Sequence, residues 1–164
     1  RLRTAIEPVL ASYYAVPTFM FYPLFVVVFG VNAGAIIAIA VLLSIVAMIT
    51  STLTGLDRVP TVLRKMARIY RMSALSRAMF IDLPAAAPHL FGGAKLAFAY
   101  ALIGVIASEF ILAGQGVGYA IAYAYNNFDN GAMYGLMLLV IIAAVTANTA
   151  LDAIDRRLQT RLRP

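Results

Sequence analysis

Residues 8–56 read PVLASYYAVPTFMFYPLFVVVFGVNAGAIIAIAVLLSIVAMITSTLTGL, 49 residues without one charged side chain. A helix needs about 20 apolar residues to cross a bilayer's hydrocarbon core. The stretch is therefore long enough for two crossings and a turn. The turn is expected in Phe29-Gly30-Val31-Asn32-Ala33-Gly34, where two glycines and an asparagine interrupt the apolar run. The first span, about 14–29, holds Pro17 and Pro23 and is expected to be kinked or partly irregular. The second, about 35–53, is built of Ala, Ile, Val and Leu.

Composition agrees with lipid as the solvent. The chain has 164 residues, 63% hydrophobic and 12% charged, with a mean hydropathy of +0.88. Soluble domains carry roughly 25% charged residues. Disordered chains are polar and charge-rich, so disorder is excluded. There is no cysteine and one histidine, His89. These counts exclude disulfides, thiolate metal sites and a multi-histidine metal site within this chain. The apolar runs are continuous rather than alternating, which disfavours a β-barrel.

Further along, residues 57–82 hold Arg58, Arg64, Lys65, Arg68, Arg71 and Arg77. A third span is expected at about 91–112. The uncharged run Asn130–Leu151 gives a fourth, about 131–151. Twelve of the thirteen basic residues fall in three blocks, 1–3, 58–77 and 156–163. Two expected spans separate each block from the next, so all three blocks share one side of the membrane. The positive-inside rule makes that side cytoplasmic, with the C-terminus on it. Basic blocks can mark nucleic-acid binding, but in so apolar a chain topology explains them and no nucleic-acid partner is expected.

The cytoplasmic segment, about 57–88, is longer than a connection between spans requires. Val62, Met66 and Ile69 recur at helical spacing, with Arg64, Lys65, Arg68 and Arg71 on the other face. A second short helix is expected from Ser73, its cap, to about Ile81. Leu83-Pro84 should end it, and Pro88 repeats the stop before span three. An amphipathic helix of this kind suits an anionic lipid surface or a protein partner, and the residues alone leave both open.

The ordered set Leu83-Pro84, Pro88, Gly93-x-Lys95-Leu96, Ala107-x-Glu109 and Gly116-Val117-Gly118-Tyr119 resembles the permease subunit of bacterial ABC importers. It is most similar to the nitrate/sulfonate/taurine branch. Pro17, Pro23 and Phe29-Gly30 extend the resemblance upstream, so that it covers about 8–158. It implies an all-α polytopic bundle of the MetI-like importer-permease fold, one permease domain over 1–164. It also implies a chain incomplete at its front, with at least one span before Arg1.

In that family the cytoplasmic loop carries a Glu-Ala-Ala motif followed by glycine, then a coupling helix that seats in an ATPase. The register from Leu83-Pro84 places the motif on Lys65-Met66-Ala67 and Arg71, where only Ala67 agrees. The coupling loop implied by the resemblance includes Lys65, Met66, Ala67, Arg71, Ser73, Ser76, Leu83 and Pro84. The implied partners are a cytoplasmic ATP-binding subunit, a second permease copy and an extracytoplasmic solute-binding protein. The implied setting is a bacterial inner membrane. The implied activity is alternating-access import of a small nitrate-, sulfonate- or taurine-like solute.

No GxxxxGK[ST] loop is present, so ATP hydrolysis is expected elsewhere and no cofactor is expected here. Glu109 is a candidate for the path or for a structural hydrogen bond to a neighbouring helix or the 113–119 loop, with the structural role favoured. Gly116 and Gly118 belong to that loop, a tight external turn. Lys95 is expected to snorkel to the headgroups. An ATP-independent carrier or channel is the alternative. Carriers usually place more acids within their spans than Glu109 alone. No catalytic constellation supports an intramembrane enzyme.

Overall fold

The computed structural model describes Pro8, Leu10, Ser12, Tyr13 and residues 15–162. The expected start of the first span at Tyr14 lies outside the described residues, as do Arg1, Arg3 and Arg163 of the terminal basic blocks. Among the described residues every regular element is helical. After a 3₁₀ turn, Thr18–Phe21, come α1 (Tyr22–Phe29), α2 (Ala33–Asp57) and α3 (Thr61–Ile69). Next is α4, one continuous helix made of Ala74–Arg77, a π turn at Ala78–Asp82, and Leu83–Leu112. Helices α5 (Val117–Asn126) and α6 (Asn130–Leu162) complete the chain.

Three described helices are long and apolar enough to cross a membrane: Ala33–Asp57, Ala74–Ile111 and Asn130–Arg157. The first expected span is different. Thr18–Phe29 is a shorter apolar helix. Its 12 residues rise about 18 Å, too little for a hydrocarbon core of about 30 Å. Pro17, which cannot donate to an α ladder, stands in extended conformation with a ψ of 101°. The chain restarts after it in the tighter 3₁₀ form.

Gly30, at φ +81°, ends α1 in a conformation that side chains avoid. Asn32 then caps α2, its Oδ1 accepting from the Gly34 N–H at 2.7 Å. The turn thus reverses the chain so that α1 lies against the start of α2. Tyr22, Ala35 and Ile39 form a buried cluster there, flanked by Phe19, Phe25, Val26 and Leu43.

The principal pairing is α2 with α4. It is close because glycines face small residues at three levels. A Cβ on Gly104 would lie 2.9 Å from Ala40 Cα, and one on Gly55 would lie 2.9 Å from His89 Cβ and 3.2 Å from Ala86 Cβ. A Cβ on Gly93 would collide with Ser51. Small residues let membrane helices approach closely where no hydrophobic force drives them together.

Leu83-Pro84 and Pro88 do not stop the helix, contrary to the expectation from sequence. Pro84 lies in the first turn of the Leu83–Leu112 segment, and Pro88 lies inside it. Directly before them the ladder widens, with the Leu83 N–H bonding to the Ala78 carbonyl five residues back. A π turn loosens the wall against which a proline ring would otherwise press. The spans expected at 91–112 and 131–151 are parts of longer helices, α4 and α6. Helix α6 buries none of its membrane window within the chain.

Candidate coupling site

The segment 57–88 is almost wholly helical, and its two corners are closed by backbone chemistry. Helix α3 ends with the Met72 N–H bonded to the Ala67 carbonyl at 3.0 Å and the Arg71 N–H to the Arg68 carbonyl at 3.0 Å. This is a Schellman ending with Arg71 at the left-handed position, φ +49°. Ser73 then caps α4: its Oγ accepts from the Ser76 N–H at 3.2 Å and lies 2.9 Å from Ser76 Oγ. The position that the resemblance assigns to glycine is thus the one whose backbone favours glycine.

The basic face expected on α3 is only partly solvated. Arg64 is not on the outer basic face: its guanidinium donates to the Leu56 carbonyl and stands 4.0 Å from Asp82. Ala67 is buried, 2% exposed, and Val59 beside the helix start is buried too. The apolar stripe Val62, Met66 and Ile69 faces outward, with Lys65 and Arg68 exposed beside it. Tyr70, Leu75, Met79, Phe80 and Leu83 extend this exposed apolar surface onto α4. Ile69 is 77% exposed and Phe80 75%.

Asp82 is a residue that sequence reasoning missed. It is buried in the π turn, and its Oδ2 accepts from Arg77 Nε at 3.1 Å. Arg64 Nε of α3 stands 4.0 Å from its other oxygen, an ion pair without a hydrogen bond between α3 and the root of α4. The carboxylate stands five residues from Arg77 on a π turn, a spacing no α-helical pattern would pair.

The expected coupling residues therefore gather in one place. Lys65 and Met66 are exposed on α3, Ala67 anchors it, and Arg71 makes its corner. Ser73 and Ser76 start α4, and Leu83 and Pro84 are exposed on its first turns.

Glu109, Gly116 and Gly118 form a second cluster at the other end of α4. Glu109 Oε2 accepts from the Gly118 N–H at 2.9 Å. Gly118 lies in the first turn of α5, so the carboxylate meets the positive end of that helix. A Cβ on Gly116, which has φ +105°, would collide with the Glu109 carboxylate, and one on Gly118 with the Ile106 carbonyl. The two glycines are what let the loop close over the acid.

Lys95 does not snorkel. Its Nζ lies 2.6 Å from Asp152 Oδ1 and 3.0 Å from Asp155 Oδ2 on α6. Among the described residues no group of three or more metal-ligating side chains is assembled.

The profile of the binding-protein-dependent transport system inner membrane component matches residues 1–164. The chain belongs to that family. Relatives share about a quarter of their aligned residues with it. The nitrate import permease protein NrtB of Leptolyngbya laminosa is 26% identical over 93% of this chain and 55% of its own length. The riboflavin transport system permease protein RibX of Chloroflexus aurantiacus is 26% identical over 96% of this chain and 59% of its own. The bicarbonate transport system permease protein CmpB of Synechococcus elongatus is 27% identical over 88% of this chain and 52% of its own. The chain thus spans a little over half the length of these relatives. They are transport permeases rather than enzymes, and the match places this chain in the nitrate-type branch of ABC permeases as an all-α, multi-pass membrane protein.

Proposed function

We propose that the chain is the membrane-spanning part of an ATP-driven importer, with the segment 57–88 as the docking site for a separate cytoplasmic ATPase. One observation carries this reading. The Val62–Met66–Ile69 stripe faces away from the protein, while Arg64 of the same helix donates to the Leu56 carbonyl of α2 and stands 4.0 Å from Asp82 of α4. An outward-facing apolar stripe with a basic flank suits a protein groove.

The membrane is crossed by α2, α4 and α6, and by the proline-broken first span, about 14–29, with the basic blocks and the C-terminus in the cytoplasm of a bacterial inner membrane. A second permease copy completes the path. A binding protein delivers a small solute of the nitrate, sulfonate or taurine class. The names of the relatives, which span nitrate, riboflavin and bicarbonate, support transport and leave the solute to the binding protein. ATP binding by the partner shifts the bundle between inward- and outward-open states through differential contacts with each.

The test is affinity purification of the full-length subunit from mild detergent, with its ATPase co-expressed. Ile69→Asp and Phe80→Asp place charge in the docking surface and should cut the co-purified ATPase at least tenfold, with the amount of membrane-inserted subunit unchanged. Undiminished ATPase on both variants would overturn the docking site. No ATPase on the parent subunit would overturn the importer reading.

A further inference from the structure

The charged cluster Lys95, Asp152 and Asp155 takes no part in docking or in a solute path as described so far. It joins two helices far apart in sequence, by 57 and 60 residues. Lys95 is 25% exposed and the Asp155 side chain 11%. Asp152 is 43% exposed, and for partly buried charges desolvation and solvent screening offset much of the attraction. Such a cluster is better explained by what it holds in place.

Its position in the fold is informative. Helix α4 is continuous from Ala74, in the docking segment, to Lys95 and beyond. The 21-residue separation corresponds to a rise of about 32 Å. Close contacts of Gly55 with Ala86 and His89, of Gly93 with Ser51 and of Gly104 with Ala40 hold α4 against α2 from Ala86 onward. Beyond the cluster α4 and α6 stand apart. An apolar cavity of about 1,010 Å³ lies between Phe98, Leu102 and Ile106 on one side and Met137, Ile141 and Ala144 on the other. The ion cluster therefore fastens α6 to α4 on the docking-segment side of a region where the two do not close on each other.

We propose that Lys95 is a positioning residue that makes α6 follow α4: motion imposed on the docking segment passes along α4 to Lys95 and through Asp152 and Asp155 to the last membrane helix. The transmission to α6 rests on the importer reading above, whereas the fastening itself does not.

The experiment uses the full-length subunit assembled with its ATPase, and a labelled copy diluted with unlabelled ones. Spin labels go on Gly92→Cys of α4 and Ile154→Cys of α6, both at exposed positions. The expected result is a narrow distance distribution in the parent, unchanged between nucleotide-free and ATP–vanadate states. In Lys95→Met the distribution should widen without nucleotide and shift by several ångströms on adding ATP and vanadate. The charge exchange K95D/D152K, which restores an opposed pair, should return the narrow distribution.

A parent distance that shifts with nucleotide, a Lys95→Met sample indistinguishable from the parent, or an exchange variant as broad as Lys95→Met would each overturn the proposal. If Lys95→Met fails to assemble, the exchange variant alone decides. If the parent binds no ATPase, the importer reading fails, and the nucleotide-free distances still decide whether Lys95 fastens the two helices.

Discussion

Arg71 holds a left-handed backbone, φ +49°, that costs an L-residue about 1–2 kcal/mol. Glycine would escape that cost but lose about 0.5–1 kcal/mol through its freer unfolded chain. Arg71→Gly should therefore stabilise the subunit by up to about 1 kcal/mol. Thermal unfolding in detergent reads this as a raised Tm, and a lowered one would show that the guanidinium has a structural role. Glu109 permits a similar argument. Glu109→Ala removes the acceptor of the Gly118 N–H and the charge at the start of α5, at a cost of about 1–2 kcal/mol. Glu109→Gln keeps an acceptor and should cost clearly less in the same assay. Equal losses would mean that charge, not hydrogen bonding, is what the α5 terminus requires.

At the scale of elements, the contact of α2 with α4 is set by backbone approach. Gly104→Leu pushes a side chain against Ala40, whose Cα lies 2.9 Å from the position of the new Cβ. Overpacking of this kind costs about 1–3 kcal/mol. Gly92→Leu is the control: nothing lies within 4 Å of its Cβ position, and its effect should stay within about 0.5 kcal/mol. Chemical or thermal unfolding of both variants checks the contrast, and similar losses would refute the close approach.

The same scale shows what the sequence made legible. The 30–34 turn, the amphipathic 61–69 helix and the long apolar helices follow from composition and period, which are local properties. Pro84 and Pro88 misled, because they pointed to a stop and the π turn at 78–82 carries the helix through. That turn coincides with Asp82 held by Arg77 and Arg64, a tertiary arrangement that no local pattern contains. Arg64 was grouped with the basic face for a related reason. Arg64 matches its basic neighbours in type, yet it finds the Leu56 carbonyl and Asp82 inside the fold. Lys95 was misread because its partners lie 57 and 60 residues away on another helix.

Across the whole molecule, one long helix connects the proposed docking surface to the apolar helices. Its N-terminal root carries the Arg77–Asp82 pair, its middle is tied by Lys95, and its far end by the Glu109–Gly118 closure. Such an arrangement suits a rigid-body switch better than local chemistry. The most direct test of its central claim is site-directed cross-linking in native membranes, since the 164 residues contain no cysteine to interfere. A photo-activated cross-linker on Ile69→Cys, with Ile142→Cys on the exposed face of α6 as control, is compared in the assembled transporter. The expected result is an ATPase adduct from position 69 and none from position 142. An Ile69→Cys probe that captures only lipid, in membranes where the ATPase is present and bound, would contradict it.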